Sequence, residues 1–447
     1  MSTIRIPTKV WNDLRTHLFS SGGEHFAFLQ ADWTLTGDGP VFMVKDVSLV
    51  PDAEVNAGYG GWELTTQGII NVVNAAVRSG LALIEAHNHG GLAPRFSTTD
   101  RSGLEEFVPY ILDSLPGRPY GATVWGDDET YGEFFLESGS TGTVRSITVS
   151  GEPLRQIVSR NDDQAAVSAT FERQLPLFTE SGQRELGRLR AAIVGLGGTG
   201  SQMVQNLTYL GVHDFVLVDA QCADGTNMNR LVTADSADVS TPKVILARHR
   251  IKSVTPDADV RIFEAEVQGT AVLDCLKGID VLFGCVDNDG ARLVLNELSL
   301  AYGIPYFDLG VGIDAAAGSV ESAGGRVAVV LPDGPCLNCM GEIDIREASF
   351  FLSSQQERDQ NVALGYVDGH DLPAPAVVSL NATVAAIATS EFMMLVSGTR
   401  PIHSFTELDL LGTSRPIASQ WVTPRRVERK SGCVQCAAAG KGDKKPK

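Results

Sequence analysis

Ala191-Ala192-Ile193-Val194-Gly195-Leu196-Gly197-Gly198-Thr199-Gly200-Ser201 decides the fold of the larger part of this chain. Apolar residues without alternation from Ala191 to Val194 predict a strand buried on both faces. The glycines satisfy G-x-G-x-x-G at Gly195, Gly197 and Gly200, with Gly198 between them, and Thr199 to Leu210 reads as a helix. Such a turn aims backbone N–H groups at a phosphate. Strand and helix patterns then alternate. Phe215 to Val218 and Val281 to Cys285 read as strands. Pro242 to Val254 reads as a helix with Thr241 as N-cap, and Ala374 to Leu395 as a long apolar helix. This predicts a largely parallel, doubly wound α/β sheet with helices on both faces.

At 447 residues, two or three domains are expected. A net charge of −18 disfavours nucleic-acid binding. No apolar run is expected to span a membrane, and the N-terminus lacks an apolar signal segment, so a cytoplasmic location without membrane contact is expected. Residues 1–150 read as a mixed α+β domain. Val10, Leu14 and Leu18 keep helical spacing, as does Leu64 to Arg78. Glu24 to Trp33, Val41 to Val50, Leu81 to Glu85, Gly121 to Trp125 and Gly132 to Leu136 read as strands. Glu137 to Gly142 reads as a loop. Residues 151–168 are expected to be linker, 169–439 the second domain, and 440–447 a disordered tail.

Ala86-His87-Asn88-His89 to Ser97-Thr98-Thr99-Asp100 spells H-x-H, seven residues, then S-x-x-D. This spacing resembles the JAB/JAMM (MPN) zinc metalloproteases, which cleave after the terminal glycine of ubiquitin-like proteins. Residues two apart on a strand point the same way, so His87 and His89 can reach one ion, with Asp100 as third ligand. Three protein ligands leave a zinc position for water. The resemblance implies Glu24 as general base, ahead of the nearer Glu85, and Ser97 as oxyanion donor. Ser97 to Asp100 also reads as a plain helix N-cap with an acidic first turn.

The glycine loop with Asp219 at the end of the next strand equally fits an NAD-dependent dehydrogenase. Further residues decide: Phe171-Glu172-Arg173-Gln174, Asn227-Met228-Asn229-Arg230, Thr241-Pro242-Lys243 and Cys285-Val286-Asp287-Asn288. In this order they resemble the ThiF/MoeB and ubiquitin-activating enzymes, Rossmann-like proteins that adenylate the C-terminal glycine of a ubiquitin-like protein. The resemblance implies ATP on Gly195, Gly197, Gly198 and Gly200, ribose on Asp219, and Asn227 near the nucleotide. It implies Arg230 and Lys243 against the phosphates, Asp287 on Mg²⁺, and Arg173 reaching a neighbouring subunit in a homodimer.

Of the seven cysteines, Cys336, Cys339, Cys433 and Cys436 form two C-x-x-C pairs and predict a closed, structural Cys₄ zinc site. Relatives carry a cysteine between such pairs that forms a thioester or persulfide. This chain has none there, and Asn361 to Asp368 shows Tyr366 instead. Direct transfer from the acyl-adenylate is favoured over Cys222 or an oxyester. Cys275 and Cys285 read as buried, inert thiols. The whole is expected to be a bacterial-type fusion that cuts and activates a ubiquitin-like partner, with a conjugating enzyme as a further partner. The alternatives are activation of a sulfur-carrier protein and a silent nucleotide-binding scaffold.

Overall fold

The computed structural model describes residues 2–21, 23–58, 61–89, 94–126, 129–159, 167–316, 319–353, 356–357, 375–412 and 421–443. The chain divides into two compact units, one built mainly on Met1–Ala166 and the other on Val167–Leu300 and Ile304–Ala438. The mixed α/β class agrees with the sequence.

The first unit is a closed barrel. Its strands are β1 (Ser2–Pro7), β2 (Phe26–Thr36), β3 (Gly39–Leu49), β6 (Ala82–Asn88), β7 (Tyr120–Trp125), β8 (Glu129–Phe135), β9 (Thr141–Ser150) and β10 (Arg155–Ser159). They run in the order β1-β3-β2-β6-β7-β8-β10-β9, and β9 closes on β1 in parallel. A small hairpin, β4 (Val55–Gly58) and β5 (Gly61–Leu64), stands apart. Three helices accompany the barrel: α1 (Thr8–Leu18), α2 (Thr66–Ser79) and α3 (Thr98–Ser114). The period of two along a strand sorts its side chains into two cores. Ala27, Leu29, Ala31, Ala82, Ile84 and Ala86 join Val10, Leu14 and Leu18 of α1. Phe26, Phe28 and Leu83 join Val72 and Val73 of α2 and Leu104 and Val108 of α3. On β6, His87 therefore shares the Leu83 side, beneath α2 and α3.

Several boundaries differ from expectation. Glu24 does not open a strand, because the β2–β6 ladder ends at Phe26 opposite His87. Thr141 already belongs to β9, and β10 lies in the stretch expected to be linker, where it pairs with β9 and β8. Gly440 to Asp443 are described, and 444–447 lie outside the described residues.

The second unit holds eight strands in one sheet: β11 (Arg190–Val194), β12 (Asp214–Val218), β13 (Asp259–Phe263), β14 (Val281–Gly284), β15 (Tyr306–Ala316), β16 (Ser319–Val330), β17 (Phe405–Asp409) and β18 (Val422–Arg425). The order is β13-β12-β11-β14-β15-β16-β17-β18. Pairing is parallel from β13 to β15 and antiparallel beyond. The expectation of a largely parallel sheet covers only the first part. The helices are α4 (Leu175–Arg188), α5 (Gly198–Leu210), α6 (Lys243–Val254), α7 (Thr270–Leu276), α8 (Asp289–Tyr302), α9 (Leu337–Met340), α10 (Ile345–Leu352) and α11 (Val378–Ser397). Strand order reverses between β11 and β14, so a crevice opens at their carboxyl ends. Open α/β sheets bind ligands at that switch point.

Thr241 does not cap α6. Its carbonyl accepts the Ala223 N–H at 2.8 Å, and Lys243 N–H donates to the Gln221 carbonyl at 3.0 Å. This short extended pairing delays the helix to Lys243, behind Pro242. Helix α11 is long and apolar enough to cross a membrane, contrary to the reading that no run approaches that length. Here it packs on the sheet. Phe392 stands edge-on to Phe283 and Phe307 at 5.4 and 6.0 Å, and those two rings stack at 5.1 Å. All three are fully buried. Phe392→Ala is expected to cost about 3–5 kcal/mol. A denaturant titration that follows the second unit checks this.

Candidate functional site

In the second unit the phosphate loop is set by steric necessity. Gly195 has φ +86°, and a Cβ there would lie 2.5 Å from the Cys285 carbonyl oxygen. A Cβ on Gly200 would lie 1.9 Å from the Gly195 carbonyl oxygen. Only glycine lets α5 start this close to the end of β11. Gly197 is the N-cap of α5 and supplies no capping side chain, which leaves the first N–H groups free for an anion. A Cβ on Gly198 would meet Asn381 of α11 at 2.4 Å and Arg230 Cδ at 3.2 Å. The Arg230 stem therefore lies over the loop, while its guanidinium donates to the Thr226 carbonyl (2.8 Å) and Asn229 Oδ1 (3.0 Å).

Asp219, just past β12, accepts the Leu196 N–H on Oδ2 (2.6 Å) and the Gln221 N–H on Oδ1 (2.8 Å). Lys243 is buried, and its ammonium donates to Gln221 Oε1 at 2.7 Å. Its hydrogen-bond partner is a neutral amide, and the exposed Asp224 carboxylate feels the charges of both Lys243 and Arg230. Gln221 has no motif signature and escapes sequence reading. Asn227 lies in a short 3₁₀ turn beneath Arg230. Asp287 follows β14, exposed at the crevice. Arg173 is exposed in the 3₁₀ turn Ala169–Gln174. Cys222 is exposed, and burial, then Asp308, pushes the Cys285 thiol up. The segment Asn361–Asp368, with Tyr366, lies outside the described residues.

The four paired cysteines meet as expected. Sγ–Sγ distances are 3.7 Å for Cys336–Cys339, 3.7 Å for Cys336–Cys433 and 3.6 Å for Cys339–Cys436. Zinc–sulfur bonds of about 2.3 Å in a tetrahedron require sulfurs about 3.8 Å apart. The donor set and its edges fit a four-coordinate zinc.

With the crevice, the loop and the cysteine cluster in view, the sequence comparison is decisive: the ThiF family model matches residues 171–437, more than half of the chain. The chain belongs to the ThiF family. Family membership, rather than the glycine loop, separates it from NAD-dependent dehydrogenases. It is 32% identical over 167 residues to the SAMP-activating enzyme E1 of Haloferax volcanii, covering 37% of this chain and 58% of that protein. The chain thus spans a little over half the length of this archaeal relative. It is 25% identical over 273 residues to the sulfur carrier protein ThiS adenylyltransferase of Escherichia coli, covering 60% of this chain and 95% of that protein. The solved structure of Escherichia coli MccB with ATP shares 15% identity at a TM-score of 0.46, over 60% of this chain and 74% of that one. The ThiF match begins at Phe171 and does not bear on the JAB/JAMM resemblance or on the geometry of the first unit.

That geometry is compact. The ligand atoms of His87, His89 and Asp100 lie within 4.8 Å of one another. His89 Nε2 is 3.2 Å from Asp100 Oδ2, and His87 Nε2 is 3.7 Å from Asp100 Oδ1. Both histidines are buried, and His87 Nε2 has no hydrogen-bond partner. His87 Nδ1 meets Glu85 Oε1 at 3.1 Å, while Glu85 Oε2 accepts the Tyr120 hydroxyl at 2.8 Å. A proton held on Nδ1 turns the Nε2 lone pair toward Asp100, the usual outer-shell arrangement around a metal-binding histidine. Burial alone would lower the His87 pKa, but the nearby Asp100 and Glu85 carboxylates outweigh it and raise it to about 9. Burial would likewise raise Asp100, yet the two histidines hold its carboxyl well below the usual range. This clustering of one carboxylate and two imidazoles fits a divalent cation.

Ser97 is the N-cap of α3, and a full capping box links it reciprocally to Asp100. The cap and the metal reading are therefore compatible, since the box orients the carboxylate that reaches the histidines. Asn88, between the two histidines, is the residue that sequence reading missed. Alternation turns its buried side chain the other way. There Oδ1 accepts the His25 N–H (2.7 Å) and Nδ2 donates to the Gly23 carbonyl (3.1 Å). The ladder has ended at Phe26, so this clasp holds the backbone on either side of Glu24.

Glu85→Gln is expected to weaken metal binding at His87, His89 and Asp100 about 10–100-fold, as loss of such outer-shell partners does. The metal of the cysteine cluster should be retained. Metal analysis after stepwise competition with a chelator separates the two sites.

Proposed function

We propose that the chain is a bifunctional enzyme that adenylates the C-terminal glycine of a ubiquitin-like protein and cleaves after that glycine. The observation that carries the adenylation reading is the convergence of Arg230 and Asp219 on the phosphate loop of a ThiF-family crevice, with the buried Lys243 bonded to Gln221, whose N–H Asp219 also accepts. A carboxylate oxygen attacks the α-phosphorus of ATP. The bond from that phosphorus to the bridging oxygen breaks, and pyrophosphate leaves. Two anions must be brought together, so Arg230 and Lys243 neutralise the crowded phosphate in the transition state. Asp219 receives the ribose hydroxyls, and Asn227 contacts the nucleotide. Asp287 would hold Mg²⁺, whose charge would screen the departing pyrophosphate. Arg173 reaches the phosphates of a partner subunit in a homodimer.

The two relatives, a SAMP-activating enzyme and an adenylyltransferase for ThiS, support a small carrier with a free C-terminus as substrate. Activation of a sulfur carrier is the second reading, favoured by the match over 95% of the ThiS adenylyltransferase. With no cysteine between Cys339 and Cys433, the acyl-adenylate passes directly to a nucleophile on a partner such as a conjugating enzyme.

For the first unit, the cleavage reading rests on the His87, His89 and Asp100 cluster. Zinc bound there would supply a Lewis acid and an activated water. Glu24, held between the two ends of the Asn88 clasp, takes the proton, and Ser97 donates to the developing oxyanion.

Lys243→Ala is expected to lower ATP–pyrophosphate exchange about 10²–10³-fold. His87→Ala should abolish cleavage of a ubiquitin-like protein extended beyond its glycine and leave exchange intact. Intact-mass measurement of that protein after incubation with enzyme, ATP and Mg²⁺ reads both events. Absence of exchange in the wild type, with zinc and ATP bound, would instead establish the scaffold.

A further inference from the structure

The side chain of Asn296, in the middle of α8 and fully buried, reaches both halves of the cysteine cluster. Its Oδ1 accepts the Leu337 N–H at 3.0 Å, inside the first C-x-x-C. Its Nδ2 donates to Gln435 Oε1 at 2.8 Å, inside the second. The same segment is fastened to α8 again further along, where the Asp344 N–H donates to Asp289 Oδ2 at 2.7 Å. Asp289 and Asn296 are two helical turns apart and share a face. Arg292 lies on that face between them. It pairs with Asp289 Oδ1 at 2.7 Å and sits 3.7 Å from Oδ2 of the buried Asp308. Two attachments along one helix face fix both the slide and the rotation of α8 against the cysteine loops. The helix begins at Asp289, two residues after Asp287.

We propose that Asn296 is a positioning residue that couples the four-cysteine cluster to Asp287, so that metal held by the cysteines governs how well the crevice binds the magnesium nucleotide. The proposal rests on the adenylation reading above. The site demands an asparagine. One amide supplies both an acceptor for a backbone N–H and a donor for the glutamine, and an apolar replacement would strand the buried Leu337 N–H. The sequence puts Asn296 far from both C-x-x-C pairs, and no motif marks it.

The test uses the full-length protein and two substitutions, Asn296→Leu and Gln435→Met. The second removes one arm at a partly exposed loop residue and does not depend on the buried site tolerating change. Zinc release to a chromogenic chelator should be about 10–100-fold faster in Asn296→Leu. Calorimetry then gives ATP affinity with and without Mg²⁺. The gain from Mg²⁺ should shrink about tenfold, the size of a typical coupling between linked sites. Binding without Mg²⁺, through the glycine loop and Asp219, should be unchanged. Gln435→Met should show the same pattern to a smaller extent. An unchanged Mg²⁺ effect despite faster zinc release would overturn the coupling. Equal losses with and without Mg²⁺ would overturn it too, since a merely structural role gives that result. A wild type that binds no ATP under either condition would sink the nucleotide reading and this proposal together.

Discussion

The approach of Gly200 to the carbonyl of Gly195 is the constraint on which the second unit depends. A methyl group at Gly200 would sit 1.9 Å from that oxygen, so strand β11 can pass directly into helix α5 only with glycine at both places. Once the turn is this tight, the start of α5 lies at the end of the central strand with its N–H groups free. Strand β14 then enters beside β11, and its own end delivers Cys285 and Val286 against the same loop, with Asp287 next in the chain. The crevice, its phosphate donors and its acidic residues all follow from one backbone contact.

The first unit solves a different problem with a simpler rule. Alternation along β6 sends Glu85 and His87 to one face and Asn88 to the other, and His89 follows directly after the strand ends. Asp100 arrives from the first turn of α3, oriented by its capping box with Ser97. The buried Nε2 of His87 faces the Asp100 carboxylate at 3.7 Å, a gap that a divalent cation would bridge. The same alternation frees Asn88 to replace the missing ladder bonds around Glu24.

Much of the candidate chemistry was legible in the sequence because it depends on local spacing. H-x-H on a strand, S-x-x-D at a helix start, the glycine loop and the C-x-x-C pairs each join residues a few positions apart. The limits came where contacts cross long distances. Thr241 and Pro242 read as a helix start, yet they pair with Ala223 and Cys222 and push α6 back to Lys243. The antiparallel half of the sheet, β15 to β18, interrupts the expected strand–helix alternation with a long hairpin. Gln221, Asn88 and Asn296 carry no pattern, because a single amide announces nothing until its partners are known.

The sequence by itself determined the strand–loop–helix turn at Gly195 to Gly200, the two metal-type donor sets and the charged residue types set around the glycine loop. Those are short-range matters of backbone sterics and side-chain chemistry. Only the tertiary structure decided that the first unit closes into a barrel, that Arg230 lies over Gly198, and that the cysteine loops are fastened to the helix following Asp287. Each of these joins residues far apart in the chain, and their pairing is set by packing and by the need to satisfy buried polar groups.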